Sequence, residues 1–189
     1  MILQKEFYFV RHGQTDHNLL EGKHKGDHPS DISLNETGRN QAKLIQPTIS
    51  TLPIKTVCSS PLKRAQETKE IITANLQVNH HKISDLGECS ARIWKEMAQF
   101  GVYSPLPSGG VACQFIDRVR NGINQALSLP GPSLIVAHGG VHWAICYLMG
   151  IHEHDWSINN CIPVYFSIGD NGTWVAKKLI GGSDDRKTI

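Results

Sequence analysis

Three short apolar runs in this 189-residue chain each end abruptly in groups that can do chemistry. "FYFV", residues 7–10, gives way to Arg11, His12 and Gly13. "TVC" leads into Ser59, Ser60 and Pro61, with Arg64 three residues on. "LIVA", residues 134–137, delivers His138, Gly139 and Gly140. Two imidazoles and two guanidiniums with few carboxylates nearby suit a bound anion, and the phosphoryl group fits best. Guanidinium forks bind its oxygens bidentately, and helix N-termini beside glycine add backbone N–H donors. An imidazole attacks phosphorus directly, so that a phosphohistidine splits one displacement into two. Such a site also needs an acid for the leaving alkoxide, one that later reverses its role to activate water.

For these groups to meet, the runs that carry them must lie side by side. Phe7 to Val10, Ile54 to Cys58 and Leu134 to Ala137 lack polar alternation, as strands of a parallel sheet covered on both faces do. Helical spacing fills the gaps between them. Asn35 suits an N-cap, with Glu36 in the first turn and Ala42, Ile45 and Ile49 following. Leu62, Ala65, Ile72 and Leu76 mark a second helix. A third runs from Gly140 to Met149, and Gly150 stands at its C-terminal position. Alternation of this kind predicts an α/β fold, a three-layer α/β/α sandwich with a mostly parallel central sheet. Ligands of such sheets gather outside the carboxyl ends of the strands, where all three polar clusters fall.

Near the C-terminus the pattern changes to a hairpin, with Val164 to Ile168 and Thr173 to Leu179 flanking "GDNG" and Pro163 at a strand start or an edge. From Gly87 to Val111 the prolines and glycines of "YSPLPSGG" predict a lid or loop. Residues 1–180 read as one catalytic domain and 181–189 as a polar tail.

Bulk properties exclude several classes. Hydrophobic residues at 40% and charged residues at 19% are ordinary for a globular protein. A net charge of +2 is too weak to argue for nucleic acid, which is not expected as a partner, and no run is long enough to span a bilayer. The N-terminus lacks the regions of a signal peptide, and five scattered cysteines without C-x-x-C spacing fit reduced thiols, so a cytoplasmic location is expected. His80, His81 and the "HEHD" at 152–155 raise a metal reading. They fall in separate loops, however, where three or four zinc ligands do not assemble, and they read as surface histidines. Neither metal nor cofactor is expected.

Taken together, "RHGQTDHN", "SLNETGRNQA", "VCSSPLKRAQET", "LGECSARIW" and "IVAHGG" resemble, in order and across nearly the whole chain, the blocks of the histidine phosphatase superfamily, the phosphoglycerate mutase-like family. The resemblance implies that His12 is the nucleophile and that Arg11, Arg64 and His138 stabilise the transferring group. It makes Glu88 the general acid and later the base. Asn18, Thr15 and the Gly139 N–H join the phosphate-binding set. The run Lys23, His24 and Lys25 borders the substrate in the family and suits a second anionic group. Two blocks depart from the pattern. Trp94-Lys95-Glu96 stands where the family has W-E-G, which leaves Asp85 or Glu96 as substitute acids, and Val111 and Ala112 replace a Glu and a Ser. The implied activity is metal-independent hydrolysis of a small phosphorylated metabolite through a phosphohistidine. The alternatives are a cofactor-dependent phosphoglycerate mutase and a non-catalytic phosphate-binding module. Substrate identity and oligomeric state stay open.

Overall fold

In the computed structural model the described residues are 1–19, 31–100, 104–152, 154 and 158–179. The run Lys23, His24 and Lys25 and the polar tail lie outside them. The described elements follow in chain order: β1 (Phe7–Arg11), α1 (Asp16–Leu19), α2 (Glu36–Ser50), β2 (Thr56–Ser59), α3 (Lys63–Ile72), β3 (Asn79–Lys82), α4 (Ala91–Phe100), α5 (Val111–Ser128), β4 (Ser133–Ala137), α6 (Gly139–Met149), β5 (Pro163–Ile168) and β6 (Trp174–Lys178). The strands form one sheet in the order β3-β2-β4-β1-β5-β6. β3, β2, β4 and β1 run parallel, while β5 is antiparallel to β1 and β6 to β5. The expected mostly parallel sheet with a C-terminal hairpin is therefore what the chain forms.

The absence of polar alternation in β1 has a direct cause. Phe7 and Phe9 face one core with α5 and α6, and Tyr8 and Val10 face the other with α2 and α3. Burying each side chain contributes about 2 kcal/mol, so β1 is held from both faces. Pro163 begins β5, where its missing N–H costs the ladder least. In the hairpin turn Gly172 takes a φ of 78°, which favours glycine.

Two regions differ from expectation. Gly87 to Val111 is not a plain loop: after a short 3-10 turn at Ser84–Leu86 it forms α4, which buries Met97 and packs Ile93, Trp94 and Phe100 on the α5 side of the sheet. Those four side chains have helical spacing, and the prolines that suggested a loop lie after the helix. The strand β3, "NHHK", has all four residues exposed, so no apolar pattern announces it. His80, His81 and Lys82 populate the sheet's edge, where polar and charged side chains discourage pairing with another chain.

Candidate active site

Strand register decides which groups meet. Arg11 is paired with Ala137 and Ser59 with Val136, so the ends of β1, β4 and β2 lie level. The chain leaves them in step: His12 N–H donates to Ala137 O at 2.9 Å and Ser60 N–H to Val136 O at 3.0 Å. His12 and His138 thereby become neighbours, with ring centroids 5.1 Å apart. Both are buried.

The hydrogen bonds assign the protons. A carbonyl only accepts, so the 2.7 Å contact between His12 Nδ1 and Gly13 O puts the His12 proton on Nδ1. Nε2 then carries the lone pair, and Arg64 Nε donates to it at 3.2 Å. Ser60 Oγ accepts from Leu62 N–H at 3.3 Å and lies 2.7 Å from His138 Nε2. If the hydroxyl proton is placed on that contact, His138 Nδ1 carries the ring's own hydrogen. This buried Nδ1 has no hydrogen-bond partner among the described residues. Burial first, and then repulsion from neighbouring groups, the cationic Arg64, Arg11 and Arg118 among them, push the His138 pKa well below the usual histidine range. The lowered pKa favours the neutral ring, which in the tautomer protonated at Nδ1 can donate to a bound oxygen.

Arg64 sits in the first turn of α3, where burial lowers its pKa against the opposing charges of Glu88 and Asp31. Asp31 also accepts the Lys63 N–H at 2.7 Å, a capping bond that the N-cap Leu62 has no polar side chain to make. Arg11 Nη1 donates to Ile158 O at 2.8 Å, and its guanidinium packs on Gly139, where an added Cβ would lie 3.5 Å from Cζ. Gly139 is the first residue of α6, with His138 as its N-cap.

Glu88 reaches the same helix end. Its carboxylate accepts from Gly140 N–H, at 3.1 Å on Oε1 and 3.3 Å on Oε2, and from Cys89 N–H at 2.9 Å. A Cβ on Gly140 would lie 2.4 Å from Glu88 Oε1, so any larger residue there would push the carboxylate aside. The substitute acids are placed elsewhere. Glu96 Oε1 accepts from Ala112 N–H at 3.4 Å in the first turn of α5, and Asp85 packs against Gly122. Thr15 and Asn18 bond to each other: the Asn18 Oδ1 accepts from the Thr15 backbone at 3.0 Å and from its hydroxyl at 3.1 Å. Thr15 thus shapes the loop, while the Asn18 amide nitrogen is left for another acceptor.

Several further residues support the site, though none was singled out as a candidate from the sequence. Asn160 Nδ2 donates to His12 O at 2.7 Å, and Cys161 N–H to Arg11 O at 3.0 Å, so a segment far along the chain grips the nucleophile's backbone. Thr68 Oγ1 accepts from Gly13 N–H at 2.9 Å. Arg118 binds the loop that carries Glu88. Among the described residues no group of three or more His, Cys, Asp or Glu is placed to hold a metal ion. His154 is not a surface residue as expected. It lies half-buried, with its ring 5.3 Å from that of His142 and 6.5 Å from that of Phe166.

An α/β sheet with paired histidines and arginines at its carboxyl edge defines a phosphoryl-handling class of protein. Residues 7–179 match the model of the histidine phosphatase superfamily (branch 1), and the chain belongs to that family. It is 33% identical over 177 residues to an agropine synthesis reductase of Rhizobium rhizogenes, covering 87% of this chain but 40% of that one. It thus spans about two fifths of that relative's length. The uncharacterized phosphatase PhoE of Bacillus subtilis is 32% identical over 145 residues, 72% of each chain. The crystal structure of a phosphoserine phosphatase from Entamoeba histolytica in complex with 3-phosphoglyceric acid has the same fold, with a TM-score of 0.68 and 21% identity, over 94% of this chain and 97% of that one.

Proposed function

We propose that the chain is a metal-independent phosphatase that hydrolyses a small phosphorylated metabolite through a phosphohistidine on His12. One observation carries this reading most directly: His12 has its proton pinned on Nδ1 by Gly13 O, which leaves the Nε2 lone pair beside Arg64 and His138. The phosphoryl group takes the place that Arg64 Nε holds on His12 Nε2, and Arg64 and Arg11 turn their N–H groups to its oxygens. His138 Nδ1–H and the Asn18 amide add donors. The His12 Nε2 lone pair forms the N–P bond as the P–O bond to the leaving group breaks, and Glu88 gives that oxygen its proton. Water then attacks phosphorus, Glu88 takes a proton back, the N–P bond breaks and inorganic phosphate leaves. The guanidiniums and imidazole donors supply the charge stabilisation on which phosphoryl transfer depends.

Family membership, the phosphatase PhoE among the relatives, and a fold shared with a phosphatase bound to a small phosphorylated acid support the substrate class. Among the described residues no helix is long and apolar enough to cross a membrane. Burial pushes the Cys58 and Cys161 thiols up to about 12, so both stay protonated and unreactive.

The test is a phosphate-release assay on a panel of metabolite monoesters with EDTA present. Turnover is expected to survive EDTA and to fall by roughly a thousandfold or more in His12→Ala. No turnover on any monoester sinks the phosphatase reading in favour of a binding module. Isomerisation of phosphoglycerate without phosphate release replaces it with the mutase reading. Activity lost in EDTA and restored by zinc overturns metal independence.

A further inference from the structure

Glu88 stands in an irregular stretch between the 3-10 turn and α4, so neither a helix nor a strand fixes its backbone. A general acid placed this way needs another source of accuracy, because a misplacement of about 1 Å costs roughly a hundredfold in rate. That source is visible thirty residues further on, in the second turn of α5. Arg118 Nη2 donates to Gly87 O at 2.9 Å and to Glu88 O at 3.3 Å, and Nη1 donates to Asp85 O at 3.2 Å and more weakly to Ser84 O at 3.5 Å. One planar guanidinium thus gathers four carbonyls within the five-residue stretch 84–88, which turns the chain around it. The guanidinium also stacks on an aromatic ring: Cζ lies 4.9 Å from the centre of the Phe115 ring. Gly87 allows the close wrap, since a Cβ there would approach Nη1 at 3.2 Å.

The two ends of Glu88 are therefore gripped by different elements. Its carbonyl is bound by Arg118 of α5, and its carboxylate by Gly140 N–H of α6. With the carbonyl fixed, the direction of the Cα–Cβ bond is fixed, and the side chain spans from there to the end of β4 where His138 stands. Burial lowers the Arg118 pKa, with the charges of Asp85, Cys89 and Glu88 opposing it. A lysine cannot replace this arrangement, because a single ammonium has no planar fork to serve four acceptors.

We infer that Arg118 is a positioning residue for proton donation, holding the Glu88 loop so that the carboxyl faces the leaving-group oxygen. The inference rests on the reading of Glu88 as the acid. Nothing in it requires Arg118 to touch substrate.

The readout is the ratio of turnover on phenyl phosphate to that on para-nitrophenyl phosphate. Nitrophenolate leaves readily without a proton and phenolate does not, so the ratio reports acid catalysis. Being a ratio, it is independent of how much of a preparation is folded. Glu88→Gln should lower it about a hundredfold. Arg118→Met, which keeps the bulk and loses the donors, should lower it about tenfold, and Arg118→Lys should fall between Arg118→Met and wild type. An unchanged ratio in both Arg118 variants, with the ratio lowered in Glu88→Gln, overturns this inference and leaves the proposed function standing. An unchanged ratio in Glu88→Gln removes the acid from Glu88 and overturns this inference with it, while phosphate release from either ester keeps the phosphatase reading.

Discussion

His12 is set by partners from distant parts of the chain. Its ring is oriented by the adjacent Gly13 carbonyl, but Arg64, 52 residues on, meets Nε2, and Asn160, 148 residues on, binds the backbone oxygen. Residue types could be read for the first two, because Arg64 follows a strand end and His12 follows another. Asn160 sits among residues that have no pattern of their own, and its importance comes only from where the chain returns. Asn160→Ala should lower kcat about tenfold on all esters with little change in KM, since it loosens the nucleophile without removing a substrate contact. Steady-state kinetics on para-nitrophenyl phosphate check this, and an unchanged kcat would show that Asn160 has no part in holding His12.

Elements act on the site by bringing backbones together. Gly13 in the nucleophile loop and Gly38 in the first turn of α2 touch without side chains between them: a Cβ on Gly13 would lie 2.5 Å from Gly38 O, and one on Gly38 would lie 2.1 Å from Gln14 O. Asn35 strengthens the same junction, taking the Gly38 N–H at 2.8 Å as N-cap while its own N–H meets Gln14 O at 3.1 Å. Backbone cannot swing aside as a side chain can. Gly38→Ala should therefore displace the loop, cost about 1–3 kcal/mol in urea unfolding and reduce kcat/KM together with stability. A variant as stable and active as wild type would show that the junction yields. The α2 cap was legible from Asn35 and Glu36, whereas the close approach was not, because a glycine's neighbour across space leaves no trace in its own segment. At this scale too, α4 departs from the expected loop: Ile93, Trp94, Met97 and Phe100 hold helical spacing, while the turn-forming residues close behind them mask it in the sequence.

At the scale of the whole molecule, the two cores on either face of the sheet bury the polar edge that the site needs. The cost falls on His138, which is fully buried, neutral and surrounded by positive charge. Its folded pKa lies below the ordinary 6.5, so at low pH the unfolded chain takes up a proton that the folded one refuses. Stability is full above about pH 6.5 and is lost as pH falls toward the folded value, with a slope of at most about 1.4 kcal/mol per pH unit from this group. Urea unfolding between about pH 8 and about pH 5 should show the decline, and His138→Asn should flatten it. Equal slopes in the two proteins would remove His138 as the cause.

By itself the sequence determined the alternation of apolar runs and helical spacing, and hence the sheet, and it determined which side chains stand at strand ends: Arg11, His12, Arg64 and His138. These are local properties, set by residue type and by periods of a few positions. The tertiary structure alone decided that β1 lies beside β4 in a register that puts His12 against His138, that α6 offers its N-terminus to Glu88, and that Asn160 and Arg118 brace the nucleophile and the acid. Those are pairings between residues far apart in the chain, and each exists only because packing of the whole fold brings together groups whose own segments hold no record of each other.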